Sequence, residues 1–177
     1  MKIGIQVSSD LNKRTGVEEY IYRLLKHLPM VDDYKNHQFF ILVPFISNEV
    51  RNITGYIPKV LKWPFKFGWT QIRLSWEMLK NKIDVLFIPA HTFPIIYPLL
   101  KYKWGVHPKL VVCIQGLEFE AVPKMYSFFR RKFLRFLTKR NAKKADKIIV
   151  PSQTTKNDLI KFYKINPEKI FVVYHGI

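Results

Sequence analysis

The sequence predicts an open α/β fold: a doubly wound, mainly parallel sheet with helices on both faces. Two observations predict it. Short apolar, β-branched runs alternate along the chain with longer segments of helical period, and strands bracketed by helices close as right-handed βαβ crossovers. The run Leu110-Val111-Val112-Cys113-Ile114 shows no polar alternation, as a strand buried on both faces requires. A chain of 177 residues is expected to form one domain over 1–177. Its 48% apolar and 15% aromatic content supplies a core and argues against disorder.

The elements follow in order. Strands are expected at 3–7, 39–43, 85–88, 110–114, 147–150 and 170–173, where branched apolar residues cluster. Helices are expected at 17–28, 69–81, 126–143 and 154–163, where apolar residues recur every three or four positions. Between 47 and 67, Pro58 and Pro64 leave a further strand undecided. In a sheet of this kind ligands bind at the carboxyl ends of the strands, so the informative loops are 8–16, 89–94, 115–123 and 151–155.

Composition narrows the class. The chain carries 30 Lys and Arg against 13 Asp and Glu, a net charge of +17, which points to an anionic partner: nucleic acid, a membrane leaflet or a phosphorylated substrate. Residues 121–147 hold ten of those cations and one acid. Cys113 is the single cysteine, which excludes an internal disulfide and reads as a core filler in a reducing compartment. The chain opens into a strand-like segment without a leader pattern, and no apolar run approaches the ~20 residues of a spanning helix. A cytoplasmic location is expected. The histidines show no metal-ligand spacing, so neither metal nor cofactor is implied.

The loops supply the candidate site. Thr15, Gly16 and Val17 open the first helix, where backbone N–H groups and the helix dipole favour an anion, or where Thr15 and Gly16 serve only as a cap. His91 follows the 85–88 strand, where it either hydrogen-bonds a sugar or phosphate oxygen from the sheet's edge or is a plain polar surface residue. Gln115, Gly116, Leu117 and Glu118 follow the 110–114 strand. Glu118 and Glu120 are the paired carboxylates there, either a general base or a counter-charge to the basic helix that follows. Ser152, three residues before Thr155, reads as a helix N-cap.

Taken in order, these segments resemble family 4 of the GT-B-fold glycosyltransferases, over essentially the whole chain. The stretches are Met1 to Ile5 with Arg14-Thr15-Gly16-Val17-Glu18-Glu19-Tyr20, then Asp84 to Pro94, then 111–126, then Ala145-Asp146-Lys147-Ile148-Ile149-Val150-Pro151-Ser152 with Thr155-Lys156-Asn157-Asp158-Leu159, and the hinge-like 167–177. The resemblance implies a Rossmann-like N-terminal half of a GT-B fold. It implies a retaining transfer of a hexose from a nucleotide sugar to an acceptor, lipid-linked or a cell-surface glycan precursor. His91 and Gln115 to Glu118 would then lie on the sugar or acceptor side, and Thr15 to Val17 by the donor phosphates or the acceptor. A donor-binding half with a Glu-x7-Glu motif is expected outside this chain, which alone is expected to be inactive. Where the family commonly has histidine then aspartate, this chain has Gln115 and Gly116, and an amide takes up no proton near neutral pH; only contact roles carry over.

The basic segment completes the reading. Tyr126, Phe129, Phe133, Phe136 and Leu137 fall on one helical stripe, expected to pack on the sheet. Arg130, Arg131, Arg135, Lys139 and Lys143 would then face outward, toward an anionic membrane surface. The rival readings are a nucleic-acid-binding module, half of a sugar-nucleotide epimerase, and a freestanding acceptor-binding domain.

Overall fold

The structure, a computed structural model, describes residues 1–8, 10–13, 15–65, 68–80, 83–89 and 108–175. Contacts gather into two compact units, one up to Pro89 with Lys109, the other from Leu110 onward. In the first, β1 (Lys2–Gln6), β2 (Gln38–Val43), β3 (Ile57–Val60) and β4 (Val85–Ile88) run in the order β3-β2-β1-β4. Every ladder among them is parallel, with Ile5 registered against Ile41 and Phe87. Helix α1 (Gly16–His27) carries Glu18 and Glu19 in its first turn and Lys26 and His27 in its last, each sign matched to the helix dipole. Its Ile21 and Leu25, one turn apart, close over Ile5, Val7, Phe39, Ile41 and Val43. Leu42 and Leu86, on the other side by the strand's period of two, are also fully buried. The sheet is therefore covered on both faces, each such side chain contributing about 1.5–3 kcal/mol.

The undecided stretch contains a strand after all. β3 includes Pro58, paired with Ile41, and it ends the strand order of its unit, the place where a residue without an N–H is tolerated. The 69–81 helix divides. Gly68 enters it at φ 90, residues Trp69–Arg73 form a π-turn, and only Leu74–Lys80 (α3) is α-helical, after a short α2 (Asn48–Asn52). Trp69 is pinned there, its indole N–H donating to the Leu61 carbonyl at 2.7 Å.

In the second unit β5 (Lys109–Cys113), β6 (Lys147–Val150) and β7 (Ile170–Val172) run in that order, again parallel. They are accompanied by α4 (Glu118–Ala121), α5 (Phe128–Lys144) and α6 (Gln153–Tyr163). Ser152 caps α6 as expected, its Oγ accepting the Thr155 N–H at 3.1 Å. The helix ends on Lys164 in the left-handed region, φ 55. Together these are the half-orders of a Rossmann-like doubly wound fold.

Two aspartates act alike at the amino edge. Asp84, ahead of β4, accepts the Lys2 N–H at 2.7 Å while its own N–H donates to the Lys2 carbonyl at 2.8 Å. Asp146, ahead of β6, accepts the Leu110 N–H at 2.8 Å and donates back at 2.9 Å. Each clamps a strand start to its neighbour. Asp146→Ala is expected to lower stability by about 1–2 kcal/mol, and the more exposed Asp84→Ala by about 1 kcal/mol. Thermal midpoints within a degree of wild type for both variants would contradict these clamps.

Helix α5 is oriented against expectation. Phe129, Phe133 and Phe136 are exposed, whereas Thr138, Asn141 and Ala142 are buried. Arg131 and Arg135 turn inward to a buried carboxylate. A buried acid must be paired, and that requirement outweighs the usual preference for an aromatic stripe to face the core.

Candidate functional site

The loop after β1 belongs to the first unit. Thr15 and Gly16 are exposed, and Val17 is half-buried against the core. The Thr15 carbonyl accepts the Glu19 N–H at 2.9 Å, but its side chain makes no capping bond. Nothing lies within 4 Å of a Cβ built on Gly16, and its φ is ordinary. Neither packing nor strain demands glycine there, so an open backbone surface remains at a helix N-terminus, suited to a phosphate. The strand that leads into this loop ends on a residue that pattern reading passed over. Gln6 is buried at the carboxyl end of β1, its Nε2 donating to Ser8 Oγ at 3.4 Å and its Oε1 without a partner. An amide within an apolar strand was the available signal.

The loop after β5 belongs to the second unit. Gln115 is half-buried, with Nε2 donating to Cys113 Sγ at 3.3 Å. Cys113 is a buried thiol outside any disulfide, a core filler as expected. Gly116 and Leu117 are buried, while Glu118 is exposed. A Cβ on Gly116 would come within 2.2 Å of Glu118 Oε1, so the glycine is what lets that carboxylate fold back over the backbone. Here the amide of Gln115 and the carboxylate of Glu118 present one donor group and one acceptor group at a strand's carboxyl end, the pairing a sugar hydroxyl takes.

Glu120 has the opposite fate. It accepts Arg135 Nε at 2.6 Å with a second bond from the same guanidinium, and the Tyr163 hydroxyl at 2.9 Å. Arg131 Nη2 stands 3.5 Å away, and its Nε donates to the Phe119 carbonyl at 3.0 Å. The bonds from Arg135 hold the Glu120 carboxyl below its usual range, against burial, with Tyr163 assisting. Burial first, then Glu120, push the Tyr163 phenol well above its own. A carboxylate so saturated is a counter-charge to the basic helix, not a general base. Glu77 in the first unit is similar. Burial alone would raise it, but Lys59 and Arg73 hold it below the usual range.

Of the sequence-predicted residues, Gln115 to Glu118 come together in one loop and Thr15 to Val17 in another, while His91 lies outside the described residues. Arg130 sits over the Tyr126 ring at 5.7 Å, and Lys139 and Lys143 are exposed. Arg131 and Arg135, placed outward by the sequence pattern, are committed to Glu120. No described helix is long and apolar enough to cross a membrane.

Comparison with known proteins identifies the family. The family model Glycosyltransferase Family 4 matches residues 14–177; curated proteins give no match by sequence. The fold recurs in Anabaena Alr3699/HepE in complex with UDP-glucose, with a TM-score of 0.63 and 14% identity over 100% of this chain and 44% of that one. It recurs in the lipopolysaccharide outer core galactosyltransferase WaaB, apo form, at 0.60 and 15% over 100% and 46%. A UDP-N-acetylglucosamine 2-epimerase from Rickettsia bellii follows at 0.54 and 12% over 97% and 44%. The chain thus spans less than half the length of each, and identities this low show the fold alone. That fold is common to transferases and an epimerase, and the family match decides between them. With the Rossmann-like order of its strands and a family match over nearly its whole length, the chain belongs to Glycosyltransferase Family 4.

Proposed function

We propose that this chain is the acceptor-side half of a retaining glycosyltransferase that moves a hexose from a nucleotide sugar to a lipid-linked acceptor or cell-surface glycan precursor. The observation that carries it is the Gly116–Glu118 arrangement, a carboxylate folded over glycine at a strand's carboxyl end beside the Gln115 amide, on a chain of this family. Gln115 and Glu118 hold sugar hydroxyls, and neither moves a proton. The backbone at Thr15, Gly16 and Val17 receives a phosphate of the donor. One structural neighbour is bound to UDP-glucose and another is a galactosyltransferase, consistent with a nucleotide-sugar donor and a hexose. The acceptor is met at an anionic membrane surface, contacted by Arg130, Lys139 and Lys143. The protein works on the cytoplasmic side of that membrane.

Saturation-transfer NMR of the 177-residue chain with a panel of free hexoses and disaccharides tests the loop. Weak sugar binding is expected, falling about tenfold in Gly116→Ala, which displaces the Glu118 carboxylate, and in Glu118→Ala, with thermal midpoints unchanged. Equal binding by all three proteins, or none by wild type, would remove the loop from the acceptor site.

A further inference from the structure

The α5 segment 128–144 holds eight Lys and Arg and no acid, and its placement sorts those charges into two groups. Arg131 and Arg135 are both turned to the one carboxylate of Glu120. On the outward side, Phe129, Phe133 and Phe136 are 83%, 61% and 60% exposed. At the helical repeat they share an arc of roughly 60°, and Lys132, Lys139 and Lys143 occupy the adjoining arc. The second unit's core does not use these rings; Thr138, Asn141 and Ala142 fill the buried side. Three large apolar rings standing in water beside exposed lysines fit a surface that is apolar and anionic together. A duplex or an acidic protein patch answers the cations alone. A leaflet of acidic lipids answers both, with phosphates at the height of the ammonium groups and acyl chains below for the rings.

We infer that α5 lies in the headgroup region of an acidic leaflet and inserts Phe129, Phe133 and Phe136, so that the protein is held by apolar insertion as well as by charge. The inference rests on the membrane reading above and deepens it: the aromatic ridge grips the leaflet, and the lysines select acidic lipid. The inward arginines connect this helix through Glu120 to the loop that carries Gln115 and Glu118.

Sedimentation of the 177-residue protein with pure phosphatidylglycerol or pure phosphatidylcholine vesicles tests it, using wild type, F129S/F133S/F136S and K132Q/K139Q/K143Q. All six positions lie outside the buried core, so both variants are expected to keep the wild-type thermal midpoint. Wild type is expected to prefer phosphatidylglycerol and to keep part of that binding in about 1 M salt, where the screening length is about 3 Å. The serine variant should lose the salt-resistant part and partition about a hundredfold more weakly. The glutamine variant should lose the preference for acidic lipid. Serine-variant binding equal to wild type, with all binding abolished by salt, would overturn insertion and leave charge-driven adsorption standing. Absence of wild-type binding to either vesicle would overturn both readings. A wild-type dimer in sedimentation velocity that the serine variant dissolves would assign the ridge to a second copy of this chain and overturn the inference.

Discussion

Replacing Glu120 with alanine is expected to destabilise the protein by about 3 kcal/mol, a fall in thermal midpoint of roughly 6–12 °C. The side chain is buried, and three groups converge on it: the Arg135 guanidinium through two bonds, the Tyr163 hydroxyl at 2.9 Å, and Arg131 at 3.5 Å. Removal leaves a buried phenol without an acceptor and two neighbouring guanidiniums without a counter-ion. Both arginines reach solvent in part, which keeps the cost at the lower end for a broken buried pair. The effect depends on pH in a defined direction. The folded carboxyl is held below the usual value of 4.5, so its contribution is complete above that value and fades as pH falls through the lower, folded one. The stability gap between wild type and Glu120→Gln should therefore be constant near neutrality and close under acid. A gap that widens on acidification, or an alanine variant within about 0.5 kcal/mol of wild type, would contradict this network.

The second large effect concerns activity. Purified alone and supplied with nucleotide sugars and acceptor sugars, the 177-residue chain is expected to transfer nothing. The family resemblance implies that the nucleotide sugar is held by a donor half carrying a Glu-x7-Glu pair. The glutamates here, at 18, 19, 49, 77, 118, 120 and 168, include no two at that spacing. The two buried ones are also saturated by cations, Glu77 by Lys59 and Arg73 and Glu120 by its arginines. The loops that remain offer contacts, and a contact that binds ground state and transition state alike does not accelerate transfer. A chimera with the donor half of a family member following residue 177 should gain transfer and yield a product whose anomeric configuration matches the donor's, read by NMR. Turnover by the chain alone would overturn the assignment of roles, and an inverted product would overturn the retaining mechanism.

Much of the architecture was legible because the six expected strands carry branched apolar runs and the longer helices a regular stripe. β4 and β6 begin and end where the residues predict, and Ser152 caps α6 by a spacing rule that needs no tertiary information. β3 was not, because Pro58 removes a donor and only the strand's place at the end of its unit's order makes that harmless. The π-turn at Trp69–Arg73 depends on a bond from Trp69 to Leu61, eight residues back, which no local period encodes. In the candidate site, Gln115 to Glu118 could be located by their position after a strand, but which carboxylate faces out could not. Glu118 and Glu120 differ only in what the fold brings to them, one the flat surface of Gly116 and the other two arginines and a tyrosine. The same contest turned α5. An i, i+4, i+7 row of phenylalanines is the commonest mark of a core-facing side, and it misled because the unpaired charge of Glu120 had first claim on the helix's inner face.

The paired clamps formed by Asp84 and Asp146 separate two tasks along the sheet. At the amino ends of the strands, the Asp84 and Asp146 side chains each add a bond to a neighbouring strand's backbone beyond the ladder itself. In each unit the candidate loop, the one with Gly16 or the one at 115–118, follows the carboxyl end of a strand, away from these clamps. Residues there are free to vary in size, charge and length without shifting a strand, so a lineage of such proteins has room to exchange one sugar or acceptor for another while the scaffold beneath stays unaltered.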